Sequence, residues 1–237
     1  MAMVEYKVDE NVAVVTLNSG ENRFNPDFIL AYLEVMDAVE NETTASTLLV
    51  TSSHDKIFSN GLDLDWLLPV IQNKDAKTAK EFFYLLNVLF KRTLMSPLLT
   101  VAAINGHAFA GGAIYSCAFD FRFMRSDRGF FCIPEIDLGI PFLPGMLALL
   151  NRAIPKQKFE EMQFTGKRLT AAECADNKIV AKACHINDLM NEALAFAKST
   201  NKRRPVILEM KKRMHMQILH ALDVEDVPYI ESGTFNL

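Results

Sequence analysis

The chain has 237 residues, half of them hydrophobic, 23% charged, and a formal net charge of −4. That length and apolar content support one globular unit with a sizeable core, and the acidic balance argues against nucleic acid or an anionic membrane surface as the main partner. Cys117, Cys132, Cys174 and Cys184 form no CxxC pair and show no secretory context, so neither a disulfide framework nor a metal site is expected. No stretch approaches the ~20 apolar residues of a membrane helix, and no signal-peptide pattern opens the chain. The expectation is a soluble, cytoplasmic protein. Phe235-Asn236-Leu237 ends in leucine without the Ser-Lys of a peroxisomal address, which leaves that location open but unsupported.

In chain order, the β-branched runs Val4–Val8 and Val12–Leu17 flank Asp9-Glu10-Asn11 and predict a hairpin. Asn25 supplies an N-cap and Pro26 a helix start for an amphipathic run to Val39. Thr47–Thr51 predicts a buried strand, Ser59-Asn60-Gly61 a turn, and Leu62–Leu68 the beginning of a helix. The helical pattern from Ala76 to Leu94 stops before Pro97. Strands follow at Leu99–Ile104, Phe119–Met124 and Phe130–Cys132, and beyond Pro141 the pattern turns helical at 143–152, 155–163, 170–176, 187–200 and 205–222. Strands alternating with helices at this spacing define an α/β architecture. The Arg204-Pro205 break separates a core, 1–200, from a C-terminal helical region, 201–237. The basic runs Lys202-Arg203-Arg204 and Lys211-Lys212-Arg213 are expected on solvated helix faces.

Two glycine turns carry the first chemical signal. Phe58-Ser-Asn-Gly-Leu-Asp63 turns at Gly61 and leads into a helix, and Ala110-Gly111-Gly112 opens another. The first amides of a helix lack intrahelical acceptors, so two such turns brought together form a hole for a negatively charged oxygen. The alternative is that these glycines allow tight turns or close packing only. Glu135, between Pro134 and Ile136 in a turn-rich stretch, is a candidate general base, since an apolar setting raises a carboxyl pKa toward neutrality; a plain surface acid is its rival. Asp137 is expected to face away, Asp120 to bond backbone amides, and Asp63 and Asp65 to compensate a helix N-terminus, with Asp63, beside the first turn, a second candidate acid. His107 is expected to pack. His215 and His220, five apart, do not share a helix face for a metal. No nucleophile elbow, GxGxxG or P-loop is present.

These motifs resemble, in order, the crotonase or enoyl-CoA hydratase/isomerase superfamily: Asn22-Arg-Phe-Asn-Pro26, Phe58–Asp63, Asn105-Gly106 with Ala110-Gly-Gly112, Asp120, Pro134-Glu-Ile-Asp-Leu-Gly-Ile-Pro141, and Thr165-Gly166 with Thr170-Ala-Ala-Glu173. The resemblance covers about Val12 to Val180. It implies a spiral of repeated β-β-α units, with C-terminal helices that build a homotrimer or a dimer of trimers and cover the active site. It also implies an acyl-CoA thioester substrate of fatty-acid metabolism, coenzyme A being part of the substrate and no separate cofactor being needed. By motif position the oxyanion-hole amides belong to Leu62 and Gly111. Arg23 and Lys56 match coenzyme A phosphate contacts, and the backbone of Phe58, Ser59 and Asn60 lines the adenine.

Hydratases of the superfamily use two glutamates, at the positions of Ile114 and Glu135. Here the first is an isoleucine. Isomerases of the superfamily resemble this pattern, with one acid moving a proton from C2 to C4 of a 3-enoyl-CoA. The resemblance therefore favours a Δ3,Δ2-enoyl-CoA isomerase with Glu135 as its catalytic residue. An acyl tunnel is expected from Leu64, Trp66, Leu67, Phe82, Phe83, Leu86 and Phe142. The alternatives are another acyl-CoA enzyme of the superfamily (hydratase, thioesterase, decarboxylase or dehalogenase) or a non-catalytic acyl-CoA-binding scaffold.

Overall fold

The computed structural model describes residues 2–233. The terminal tripeptide considered above for a peroxisomal address lies outside the described residues, as does the end of the 201–237 region. The chain opens with β1 (Val4–Asp9) and β2 (Val12–Leu17), the antiparallel hairpin expected around Asp9-Glu10-Asn11.

From β2 onward one pattern recurs: a strand of the main sheet, a short strand elsewhere, then helix. β2 is followed by β3 (Arg23–Phe24) and α1 (Pro26–Glu42). β4 (Thr47–Ser52) is followed by β5 (Ile57–Ser59), β6 (Gly61–Leu62), α2 (Leu64–Gln72) and α3 (Ala76–Leu94). β7 (Leu99–Ile104), β8 (His107–Phe109) and α4 (Gly111–Cys117) make the next turn, and β9 (Phe121–Arg125), β10 (Phe131–Cys132) and α5 (Glu135–Leu138) the last. The helical remainder is α6 (Pro144–Ala153), α7 (Lys156–Thr165) and α8 (Ala171–Asp176). After the edge strand β11 (Lys182–Cys184) come α9 (Ile186–Ser199), α10 (Arg204–Met214), α11 (Met216–His220), a π-helical turn at Ala221–Glu225, and α12 (Val227–Ser232).

The main sheet runs β1-β2-β4-β7-β9-β11, parallel except for the hairpin, while β10-β8-β5 and β3-β6 form two small parallel sheets. This is the repeated β-β-α spiral. Every residue of β4 is buried, as a parallel strand covered on both faces requires. The main core fills one face of the sheet against α1, α3, α4 and α6; a smaller cluster on the other face packs against Leu189, Ala193 and Ala197 of α9. Tyr115 of α4 meets Phe24, Tyr32 and Phe119 edge-on at 5.6, 5.7 and 5.0 Å and stacks near Phe58 at 6.2 Å, which fixes that helix against three other segments.

Local chemistry explains several boundaries. Asn25 Oδ1 caps α1 by accepting from Phe28 N at 3.0 Å. The strand expected from Phe119 begins at Phe121 instead, because Phe119 O accepts from the guanidinium groups of Arg122 and Arg152 at 2.7 and 2.8 Å and is lost to the ladder. The helix expected over 205–222 breaks at His215, which is buried, and ends in the π turn. Lys211 also departs from expectation. It is 4% exposed, and its Nζ donates to Leu98 O at 3.0 Å and meets Asp120 Oδ2 at 2.7 Å. Arg204 likewise turns inward, donating to Ala45 O and Glu40 O near the end of α1. Among the described residues, no helix is long and apolar enough to cross a membrane.

Candidate active site

A cavity of about 720 Å³ opens where β6, α4, α5 and the C-terminal helix converge. Two backbone turns form its floor. Gly61 has φ +77°, and a Cβ there would lie 2.5 Å from Gly111 N; a Cβ on Gly111 would lie 3.2 Å from Gly61 Cα and 3.4 Å from Leu62 N. Position 61 therefore requires glycine, and a side chain at 111 would push its neighbours aside by a few tenths of an ångström. On either side of Leu62, the amide of Gly61 donates to Ser59 Oγ (3.2 Å) and that of Asp63 to Phe24 O (3.0 Å). Strand amides alternate in direction, so Leu62 N–H faces away from β3, toward the Gly111 turn. Gly111 is the first residue of α4, where an amide has no intrahelical acceptor. Ala110 before it holds φ 50°, ψ −126°, a conformation that costs an alanine on the order of 1–3 kcal/mol. Its amide is anchored on Cys132 O at 2.9 Å, so the small sheet holds the strained residue in place.

Glu135 is the first residue of α5, a single turn closed by Gly139 in the left-handed conformation. Ile140 N donates to Glu135 O at 2.9 Å and Gly139 N to Ile136 O at 3.3 Å, the Schellman pattern that stops a helix. The short turn keeps the Glu135 side chain on the cavity wall. That side chain is 7% exposed, its Oε2 is buried with no hydrogen-bond partner, and burial pushes its carboxyl up to about 7. Ile114, 1% exposed, lines the same cavity, so the second position is apolar in space as well as in sequence. Asp137 lies on the other side as expected, although the reason is a helical turn and not an extended strand.

The expected contact residues divide. Arg23 and Asn60 line the cavity, whereas Lys56, Phe58 and Ser59 do not. Arg23 donates to Glu21 Oε2 (2.8 Å) and Asp65 Oδ2 (2.7 Å), so an incoming phosphate would have to compete with two carboxylates. Lys56 is exposed outside the cavity. Phe58 is fully buried with its carbonyl accepting from Asn22 Nδ2 at 2.9 Å, and Ser59 Oγ donates to Asn22 O at 2.7 Å. Of the residues expected to line an acyl tunnel, Leu64, Phe83 and Phe142 do so. Leu67, Phe82 and Leu86 are core, and Trp66 packs on Phe82 at 5.1 Å. Asp63 is held by Asn25 Nδ2 at 2.8 Å, and His107 packs between Phe109 and Phe130.

Sequence reasoning missed the rest of the apolar wall: Leu143 and Met146 at the start of α6, and Tyr229 and Ser232 on α12. A signal for α12 existed, since Pro228 falls in the first turn and Gly233 sits at the left-handed C-cap.

Two turned amides and a buried carboxyl with an unpartnered oxygen thus share one mostly apolar cavity, an arrangement chemically suited to holding a negative oxygen and to moving a proton. Residues 7–235 match the family model described as Enoyl-CoA hydratase/isomerase, and the chain belongs to that family. It is 33% identical over 173 residues to enoyl-CoA delta isomerase 3 of Arabidopsis thaliana, covering 70% of this chain and 69% of the relative. It is 31% identical over 191 residues to the Arabidopsis thaliana protein named enoyl-CoA delta isomerase 2, peroxisomal, covering 78% of each. Among solved structures, an enoyl-CoA hydratase from Bacillus halodurans superposes with a TM-score of 0.86 at 23% identity, over 98% of this chain and 95% of that one, a likeness of fold.

Proposed function

We propose that the chain is a Δ3,Δ2-enoyl-CoA isomerase. The observation that carries this reading is the lone acid. Among the described residues lining the cavity, Arg23 and Asp65 bond each other, and Glu135 is the one carboxyl with a buried oxygen that has no hydrogen-bond partner, with Ile114 where a second acid would stand. Adding water across a double bond calls for activating the water and delivering a proton, which two acids share. Moving a double bond needs one.

In the proposed reaction the Glu135 carboxylate removes a proton from C2 of a 3-enoyl thioester. The C2–H electron pair flows toward the thioester carbonyl, whose oxygen becomes anionic and accepts from Leu62 N–H and Gly111 N–H. The dienolate then collapses to the C2=C3 double bond as the Glu135 carboxyl returns its proton to C4. A base with a pKa near 7 can take and return a proton at neutral pH. The names of the two plant relatives support the same reaction. Assembly into a trimer or a dimer of trimers belongs to this reading, with Val206, Met210, Met214 and Met216 exposed on α10 and α11 as apolar surface for it; a monomer in light scattering would refute it.

The test is conversion of a 3-enoyl-CoA to the conjugated 2-enoyl thioester, followed by absorbance, in the native protein and in Glu135→Gln. Because the carboxylate is the active form, kcat/KM should rise with pH and level off above about 7. Undiminished turnover in Glu135→Gln would remove the proposed base, and efficient hydration of 2-enoyl-CoA by the native protein would defeat the one-acid argument.

A further inference from the structure

We infer that Asp226 is a positioning residue that sets the acyl length the cavity accepts, because its carboxylate ties together the three helices that build the apolar wall. The inference rests on the acyl thioester reading above. Asp226 is fully buried just ahead of α12. Its Oδ1 accepts from Gly145 N at 2.7 Å and its Oδ2 from Asn87 Nδ2 at 2.8 Å. Gly145 precedes Met146 on α6; Asn87 lies one turn beyond Phe83 on α3; Tyr229 and Ser232 follow Asp226 on α12. All four of these neighbours line the cavity.

Local backbone serves the same contact. Asp226 N donates to Ala221 O, five residues back, at 2.9 Å, so the π turn carries the carboxylate inward. Asn87 Nδ2 also donates to Leu222 O at 3.1 Å within that turn. A Cβ on Gly145 would come within 2.6 Å of Asp226 Oδ2, so the helix start is bare where the acid reaches it. Elsewhere α12 and the π turn are fastened to α3 by pairs at the surface, Lys91 with Asp223 and Lys80 with Glu231, which hold a segment weakly. A buried carboxylate bonded only by neutral donors is a poor source of stability compared with an apolar side chain, and its use here fits a need for one defined position. Tyr229 is 59% exposed, so the wall it forms is thin, and behind it α12 is held by the buried Ile230 and by the Asp226 tie.

The test uses the full chain, native and with Asp226→Ala or Asp226→Asn, and two probes of each length. Hexanoyl- and dodecanoyl-CoA, which cannot isomerise, report binding by calorimetry, and the corresponding 3-enoyl thioesters report turnover. Releasing α12 should raise the ratio of dodecenoyl to hexenoyl kcat/KM by about tenfold in Asp226→Ala, the scale of one or two methylenes in an apolar pocket. The change should fall in KM and in the Kd ratio of the saturated thioesters, with a smaller shift in Asp226→Asn, which keeps an acceptor. Unchanged ratios in both variants would overturn the inference. Binding without turnover in the native protein would overturn the isomerase reading while the Kd ratio still judged Asp226, and absence of thioester binding would overturn both. Should Asp226→Ala fail to fold, Asp226→Asn and Asn87→Ala carry the test with the same expected direction.

Discussion

Two acids lie near opposite ends of α4, Glu135 buried and Asp120 partly buried, and their surroundings could hardly differ more. Asp120, just past the C-terminal end, accepts from Thr100 N and Oγ1 at 2.8 and 3.0 Å, meets Lys211 Nζ at 2.7 Å, and has Arg152 at 3.4 Å. Glu135, beside the N-terminal half, has an oxygen with no partner at all. Around Asp120 every charge is answered: burial holds the Lys211 ammonium below its ordinary value, and the neighbouring carboxylate offsets part of that. Around Glu135 no counter-charge is present and only a backbone hydrogen bond offsets burial in part, so the carboxyl is pushed up to about 7. Burial alone therefore does not make an acid reactive. The difference lies in whether the fold supplies partners.

The sharpest way to break this comparison is to remove each acid's defining feature. Glu135→Gln keeps the shape and removes the base, and isomerisation should fall by roughly a hundred- to ten-thousandfold, the usual worth of a positioned general base. Lys211→Met acts on the satisfied acid. It removes one counter-charge while the partly buried Asp120 keeps Arg152 and Thr100, so the chain should lose about 1–3 kcal/mol in denaturant unfolding. Adding Asp120→Asn to Lys211→Met should recover part of that loss. A Lys211→Met protein as stable as the native one would show that the network is not the closed structural unit its distances suggest.

The same contrast explains what was legible in the sequence. The cavity floor and its acid could be read, because Gly61-Leu62, Ala110-Gly111-Gly112 and Pro134-Glu135 are contiguous motifs whose turn chemistry is local. The alternation of long strands with helices was legible for the same reason, whereas the short strands β3, β5, β6 and β8 were not, and the β-β-α repeat came only with the resemblance. The burial of Lys211 was not, since its carbonyl partner, Leu98, lies 113 positions away and a run of three basic residues looks the same whether solvated or folded inward. Tunnel residues were only half legible: Phe82 and Phe83 are adjacent aromatics on one helix, and only the tertiary packing decides that Phe83 faces the cavity while Phe82 meets Trp66. The six residues of α12 carry too little periodicity to mark a helix, and only Pro228 and Gly233 at their ends signalled one.

A further effect separates the acids by stability. The Glu135 carboxyl rises from about 4.5 to about 7 on folding, so the folded state binds its proton more tightly than the unfolded state does. Stability should then be unpenalised below about 4.5, fall as pH rises toward 7, and carry the full penalty above it, about 3 kcal/mol at most. Glu135→Gln has no such group. It should match the native protein near the acidic end of that range and exceed it at pH values above about 7, measured by urea unfolding at both ends. A mutant less stable than the native protein on the alkaline side would mean that the carboxylate has partners after all.

Ile114→Glu tests the remaining term, the empty second position. It places a carboxyl on the same cavity wall as Glu135, where Ile114 is 1% exposed. Two acids in one apolar cavity resist sharing two negative charges, so the Glu135 carboxyl should hold its proton to a pH above about 7. The midpoint of the kcat/KM profile for isomerisation should move upward accordingly, and the rate at neutral pH should drop because less of the base is ionised. If the profile keeps its midpoint, the two positions do not sense each other. The apolar residue at 114 would then no longer account for the solitary acid, and the case for a single-base isomerase would rest on Glu135 and the two amides alone.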